Sequence, residues 1–228
     1  MKQIALDIGL SHEATLNGFL AGRNQAALQH LSTWSGSSTR SPVPTYLWGP
    51  AGVGKSHLLR AVRHALRAQG AVVGWLDAEG APGAAFSEQW DAVLMDDVHL
   101  YNAEQQHTAF NWFVNAVSPA SGKPRGVLAA GLLPPSDLPL RDDLRTRLGW
   151  GHVFELHLLQ EQECRAVLRQ AADARGVFLS DEVMTFVLAR FSRDLGSLMQ
   201  LLDHLDRYAL QTKRAITIPL VKSMLENE

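Results

Sequence analysis

The chain has 228 residues with 21 basic and 23 acidic side chains, and 46% of it is apolar. That fraction supports a packed core and excludes a disordered chain, and the net charge of −2 excludes bulk attraction to nucleic acid while leaving local basic patches open. One cysteine, Cys164, excludes an internal disulfide, and the nine histidines are scattered with no metal-ligand spacing.

Taken in chain order, Met1 to Leu10 mixes apolar and polar residues and reads as extended. Asn24 to Trp34 has helical spacing of Ala27, Leu28 and Leu31, and Ser35 to Pro44 is a Ser/Thr/Pro-rich loop. The apolar run Tyr46-Leu47-Trp48 precedes Gly49-Pro50-Ala51-Gly52-Val53-Gly54-Lys55-Ser56, and a helix over Leu58 to Ala68 follows. Ala71 to Leu76 reads as a strand, as does Ala92 to Met95, which ends at Asp96-Asp97. Glu104 to Val117 reads as a helix with Phe110, Phe113, Val114 and Val117 on one side. Gly126 to Gly131 and Val153 to Leu156 are further strands. Short apolar strands alternating with helices predict a parallel sheet covered on both faces.

After Leu159 only helical periodicity remains, over Glu161 to Arg175, Asp181 to Phe191, Arg193 to Gln211 and Pro219 to Leu225. Gly176 fits a helix stop, and Ser180 and Ser192 fit N-caps. Cys164 falls on the apolar side of its helix beside Val167 and Leu168, as a buried thiol would. The expected organisation is an extended segment over 1–10, an α/β domain over 11–159 and a small all-α lid over 160–228. With no signal peptide and no membrane-spanning run, a cytoplasmic protein is expected.

Gly49 to Ser56 fits G-x-x-x-x-G-K-[ST] in the strand–loop–helix context that a P-loop requires. Glycines let the backbone wrap phosphates, and amides at the helix N-terminus point at the anion. Gly49, Pro50, Gly52, Val53, Gly54, Lys55, Ser56 and the adjoining His57 are therefore candidate nucleotide-binding residues. Lys55 can neutralise outer phosphates, and Ser56 with Asp96 can hold Mg²⁺. Asp97 can orient or deprotonate an attacking water. Arg147 and Arg193 are each able to stabilise the charge of a phosphoryl-transfer transition state, in cis or from a neighbour, and a solvated or salt-bridged surface arginine is the alternative for each.

Thr15-Leu16-Asn17-Gly18-Phe19-Leu20-Ala21-Gly22-Arg23-Asn24 resembles the segment before the P-loop of the bacterial replication initiator DnaA. The P-loop, Asp96-Asp97, Arg147 ahead of Gly149-Trp150-Gly151, and Arg193-Asp194-Leu195 then follow in the order of the DnaA-like AAA+ family. The resemblance implies a P-loop AAA+ fold with an adenine pocket from Phe19 to Asn24. It implies Arg147 as an arginine finger acting on a neighbour's nucleotide, and Arg193 as a second sensor in the same chain. The initiators carry a further DNA-binding domain, for which no counterpart is found before Glu228. The resemblance is thus to the free-standing members that act as regulatory inactivators of DnaA. It implies bound ADP or ATP, DnaA and the DNA-loaded sliding clamp as partners, and no sequence-specific DNA or membrane partner, with self-association left open.

Gln3-Ile4-Ala5-Leu6-Asp7-Ile8 resembles a clamp-binding peptide, in which Gln3 supplies hydrogen bonds while Leu6 and Ile8 fill an apolar groove. A terminal strand packed on its own domain is the alternative. One departure bears on activity: Leu128-Ala129-Ala130-Gly131-Leu132 lacks the polar sensor expected after that strand, so intrinsic ATPase should be weak or absent. Two other readings stay open, a self-sufficient ATPase or helicase loader using Asp97 as its base, and a fragment of a DNA-binding initiator.

Overall fold

The computed structural model describes residues 14–37, 40–80, 83–120, 122–190, 195–212 and 214–226. Two compact units are present, one from His12 to His157 and one built on Leu158–Glu228. The first is organised on five parallel strands in the order β2-β3-β4-β1-β5. These are β1 (Thr45–Trp48), β2 (Val73–Leu76), β3 (Ala92–Met95), β4 (Gly126–Gly131) and β5 (His152–Glu155). Helices α1 (Gln25–Gly36), α2 (Lys55–Ala68), α3 (Ala103–Val117) and α4 (Asp142–Leu148) connect or flank them.

The two-residue period of the strands divides the core into two layers. Tyr46, Val93, Met95, Val127 and Ala129 pack with Phe113, Leu144 and Leu148. Their neighbours Leu47, Leu94, Leu128 and Ala130 point the other way, onto Leu31, Trp34, Leu58, Leu59 and Leu66. Each such fully buried apolar side chain contributes about 1.5–3 kcal/mol relative to exposure. β5 is an edge strand, and beside it His30 of α1 shares a hydrogen bond of 2.9 Å with Thr45 Oγ1 of β1. The His30 ring also lies 4.6 Å from His152 and 5.0 Å from Phe154.

Several boundaries differ from the sequence reading. α1 runs through Ser35 to Gly36, and Ser35 is buried with its hydroxyl donating to Ser32 O. That local bond removes the polarity that argued for a loop there. Ala71 and Val72 precede β2 rather than belonging to it, since the Val72 amide is taken by Asp91 Oδ2 at 2.8 Å instead of a ladder partner. The helix α4 was not expected. The apolar stripe of α3 also divides: Phe113 is buried, whereas Phe110, Val114 and Val117 are half-buried.

The second unit is helical, with α5 (Glu161–Ala174), α6 (Asp181–Arg190), α7 (Leu195–Thr212) and α8 (Ile218–Glu226). Cys164, Leu168, Met184, Leu198, Leu202 and Val221 form its core. Gly176 ends the turn after α5 at φ +69°, and Ser180 caps α6 by accepting from the Val183 amide at 3.3 Å. Among the described residues no helix is long and apolar enough to cross a membrane.

Candidate functional site

The loop between β1 and α2 carries the P-loop residues. Gly54 has φ +97°, and a Cβ there would stand 2.7 Å from Phe19 Cε2, so the position accepts only glycine. Phe19 therefore lies directly over the loop. His57 faces the same segment, with Nε2 3.3 Å from Thr15 O and its ring 6.1 Å from that of Phe19. Gly49 passes so close to the chain after β5 that a Cβ would stand 2.4 Å from Leu156 O.

Lys55 opens α2 and is buried, with Nζ donating to Gly49 O at 2.8 Å and Pro50 O at 3.0 Å. Burial pushes its ammonium below the usual lysine range, and Asp97 and Asp96 pull it back up. Asp96 follows β3, is buried, and accepts hydrogen bonds from the Ser56 hydroxyl and from the Asp97 amide, the latter at 3.1 Å. Burial pushes its carboxyl up from the usual range, and the Ser56 bond opposes that shift. Asp97 is half-buried and holds φ +49°, left-handed, alone among the described residues other than glycine. Ser56, Lys55, Asp96 and Asp97 are thus brought together at the mouth of the loop.

Asn24 joins this site through the backbone. It is buried, its Nδ2 donates to His157 O at 2.8 Å, and its Oδ1 accepts from the His157 amide at 2.7 Å. Both ends of its amide are committed to the backbone, so it ties the segment before α1 to the chain after β5.

The expected gap at the end of β4 has a packing cause. A Cβ on Gly131 would meet Tyr46 Oη at 2.3 Å and Val98 Cγ2 at 3.1 Å. Tyr46 is fully buried, and its hydroxyl donates to Leu133 O at 2.7 Å. The tyrosine thus fills the space that a side chain from this strand end would need. Sequence reasoning missed a neighbour, His99, in the turn after Asp97. Its Nδ1 is buried without a hydrogen-bond partner, and both Asp97 and Lys55 act on its charge. The signal available was only a histidine two residues past the acid pair.

Arg147 lies on α4, whose three nearby arginines have different fates. Arg141 forks onto Asp143 at 2.6 and 2.7 Å, and Arg145 pairs with Asp142 at 2.6 Å. Arg147 forms no ion pair among the described residues: its Nη1 donates to Asp143 O at 3.0 Å, and its guanidinium lies 4.7 Å from the centre of the Phe110 ring. It lines a cleft of about 280 Å³ with Phe113, Val114, Val117, Ser118 and Trp150. Trp150 is 68% exposed there. Arg193 and the Gln3, Leu6 and Ile8 group lie outside the described residues.

Comparison with known proteins bears on this arrangement. Residues 161–225 match the family described as "Hda, lid domain". A protein of Haemophilus influenzae, described only as uncharacterized, is 35% identical over 231 residues, covering 98% of each chain. The chain belongs to the Hda-like, DnaA-related AAA+ proteins. Domain III of the Thermotoga maritima replication initiation protein DnaA superposes with a TM-score of 0.72 at 20% identity, over 96% of this chain and 98% of that one. AMPPCP-bound DnaA from Aquifex aeolicus gives 0.68 at 19% identity, over 90% of this chain and 68% of that one. The fold is therefore that of a DnaA-like AAA+ module followed by an Hda-type helical lid, as the sequence motifs implied.

The donor set of this AAA+ module fits a nucleoside polyphosphate with Mg²⁺. Lys55 supplies a buried cation, and the amides at the start of α2 supply donors. Among the described residues no group of three or more His, Cys, Asp or Glu could hold a metal alone. Mg²⁺ needs no such group, since it is ordinarily held by one or two protein oxygens plus phosphates and water. Ser56 and Asp96 would be those oxygens.

Proposed function

We propose that the chain is a DnaA-related regulator of replication initiation that makes DnaA hydrolyse its bound ATP. In this reading it carries ADP or ATP with Mg²⁺ on Gly49 to His57. Bound through Gln3, Leu6 and Ile8 to the sliding clamp on DNA, it presents Arg147 to the nucleotide of DnaA. Arg193 contacts the nucleotide of its own chain, and Phe19 covers the adenine side. Mg²⁺ and Lys55 would neutralise phosphate charge, and Asp97 would hold a water.

The observation that carries the proposal is the state of Arg147. Arg141, just before α4, and Arg145 on it are neutralised by Asp143 and Asp142, while the charge of Arg147 meets only a carbonyl and an aromatic face. A cation held in place but left unpaired beside a cleft is suited to an anion brought by a partner. An arginine finger is worth about 10³–10⁵ in rate, so one residue suffices for the effect. The crowding at Gly131 favours this over a self-sufficient ATPase, because it bars a polar sensor from the end of β4.

The test is conversion of DnaA-bound ATP to ADP in the presence of clamp-loaded DNA. Arg147→Ala should bind nucleotide and clamp normally and lose stimulation by at least about 10³-fold. Full stimulation by that variant, or stimulation independent of the clamp, would refute the proposal.

A further inference from the structure

The α1–α2 layer has a charge pattern that the nucleotide site does not explain. Residues 14–76 contain Arg23, Arg40, Lys55, Arg60, Arg63 and Arg67 but no aspartate or glutamate, in a chain whose acids outnumber its bases 23 to 21. Lys55 is engaged in the P-loop. Among the described residues the five arginines form no ion pair within 4.0 Å.

Helical spacing gathers three of them into a row on α2. Arg60, Arg63 and Arg67 lie on the side of α2 away from the buried Leu58, Val62 and Leu66, and His64 stands among them. Arg60, His64 and Arg67 are exposed, and Arg63 is half-buried, its guanidinium 5.0 Å from the centre of the Trp75 ring. Arg40 extends the row past the end of α2, where Nη2 donates to Gln69 Oε1 at 3.2 Å. Two acids from adjoining strand ends, Asp77 and Asp96, act through space on Arg63 and Arg60.

Helix stability does not account for the row. Only Arg67 falls in the last turn, where a cation suits the helix dipole. Arg63 and Arg67 form a like-charged i,i+4 pair, which opposes the helix. We propose that this face is a sequence-independent site for the phosphate backbone of duplex DNA, with Arg40, Arg60, Arg63 and Arg67 as its contacts. The span from Arg60 to Arg67 is about 10 Å at ~1.5 Å per residue, a length of duplex axis over which one strand carries about three phosphates. Guanidinium forks match phosphate oxygens, and no large apolar side chain of α1 or α2 is exposed. The face therefore lacks the apolar centre of a protein interface and has the polar, cationic character of a DNA-binding one.

The inference does not depend on Arg147, the clamp or DnaA, and its test uses none of them. Anisotropy of a labelled duplex of arbitrary sequence is followed with the purified full chain between about 50 and 200 mM salt. The logarithm of the binding constant should fall against the logarithm of salt with a slope of about −3.6, at about −0.9 for each of the four phosphate contacts. Arg60→Gln with Arg67→Gln, both exposed, should reduce the slope by about 1.8 and the affinity at low salt by at least about tenfold. Lys123→Gln with Arg207→Gln removes the same charge elsewhere and should leave both within about twofold. Three results would overturn the proposal: no salt-dependent binding by the unaltered chain, equal loss in both double variants, or binding of an acidic polypeptide in place of DNA.

Discussion

Replacing Gly131 by alanine tests whether packing, rather than chance, keeps a side chain out of the end of β4. The new Cβ would stand 2.3 Å from Tyr46 Oη, 3.1 Å from Val98 Cγ2 and 3.3 Å from Tyr46 Cζ. Tyr46 cannot swing aside, because it is fully buried and bonded to Leu133 O. Forcing a methyl group into such a site costs about 1–3 kcal/mol. Tyr46→Phe alone loses one hydrogen bond, worth about 0.5–1.5 kcal/mol. It also removes the closest clash, leaving contacts of 3.1 and 3.3 Å that small shifts can absorb. The double variant should therefore be about 1–2 kcal/mol more stable than the sum of the single losses predicts. Urea unfolding of the four proteins, followed by tryptophan fluorescence, measures this directly. Additivity to within about 0.5 kcal/mol would refute the argument. If the coupling is found, installing a polar sensor in this module requires changing Tyr46 first, and Gly131→Thr should be tolerated only in the Tyr46→Phe background.

Three further outcomes are expected. Phe110→Ala removes the aromatic face under Arg147, worth about 0.5–1 kcal/mol, and should lower stimulation of DnaA two- to fivefold with nucleotide binding intact; unchanged stimulation would separate Phe110 from the finger. Asn24→Ala leaves the part-buried N–H and C=O of His157 without their side-chain partner and should cost about 0.5–1.5 kcal/mol for each bond, read as a fall in the urea midpoint; a total loss below about 0.5 kcal/mol would contradict that tie. His30 is held below the usual histidine range by burial and by His152, so the unfolded chain takes up its proton first on acidification. Stability should accordingly fall below about pH 6.5, and His30→Gln should flatten that fall while retaining a partner for Thr45; an unchanged pH profile would remove His30 as its source.

The sheet was legible because its strands are short apolar runs bounded by glycines, acids or prolines, and the P-loop because its glycines and lysine are contiguous. Helix α4 was not, since Leu144 and Leu148 are the only apolar residues in its seven, too few to set a period. The state of Arg147 was out of reach for a related reason. It depends on which arginine each of Asp142 and Asp143 selects, and on Phe110, which α3 supplies from far back in the chain. The tie between Asn24 and His157 spans 133 positions and leaves no local pattern. Tyr46 read as an ordinary strand residue, yet it decides what the end of β4 can carry. The row on α2 was hidden by the balanced total charge.

The left-handed backbone of Asp97 has a consequence for anyone stabilising this protein. Glycine would occupy that conformation with roughly 1 kcal/mol less strain, so selection on melting temperature alone would favour losing the carboxylate. A thermostability screen should therefore fix this position beforehand, because the variant it rewards would be a sturdier scaffold with one acid fewer at its mouth.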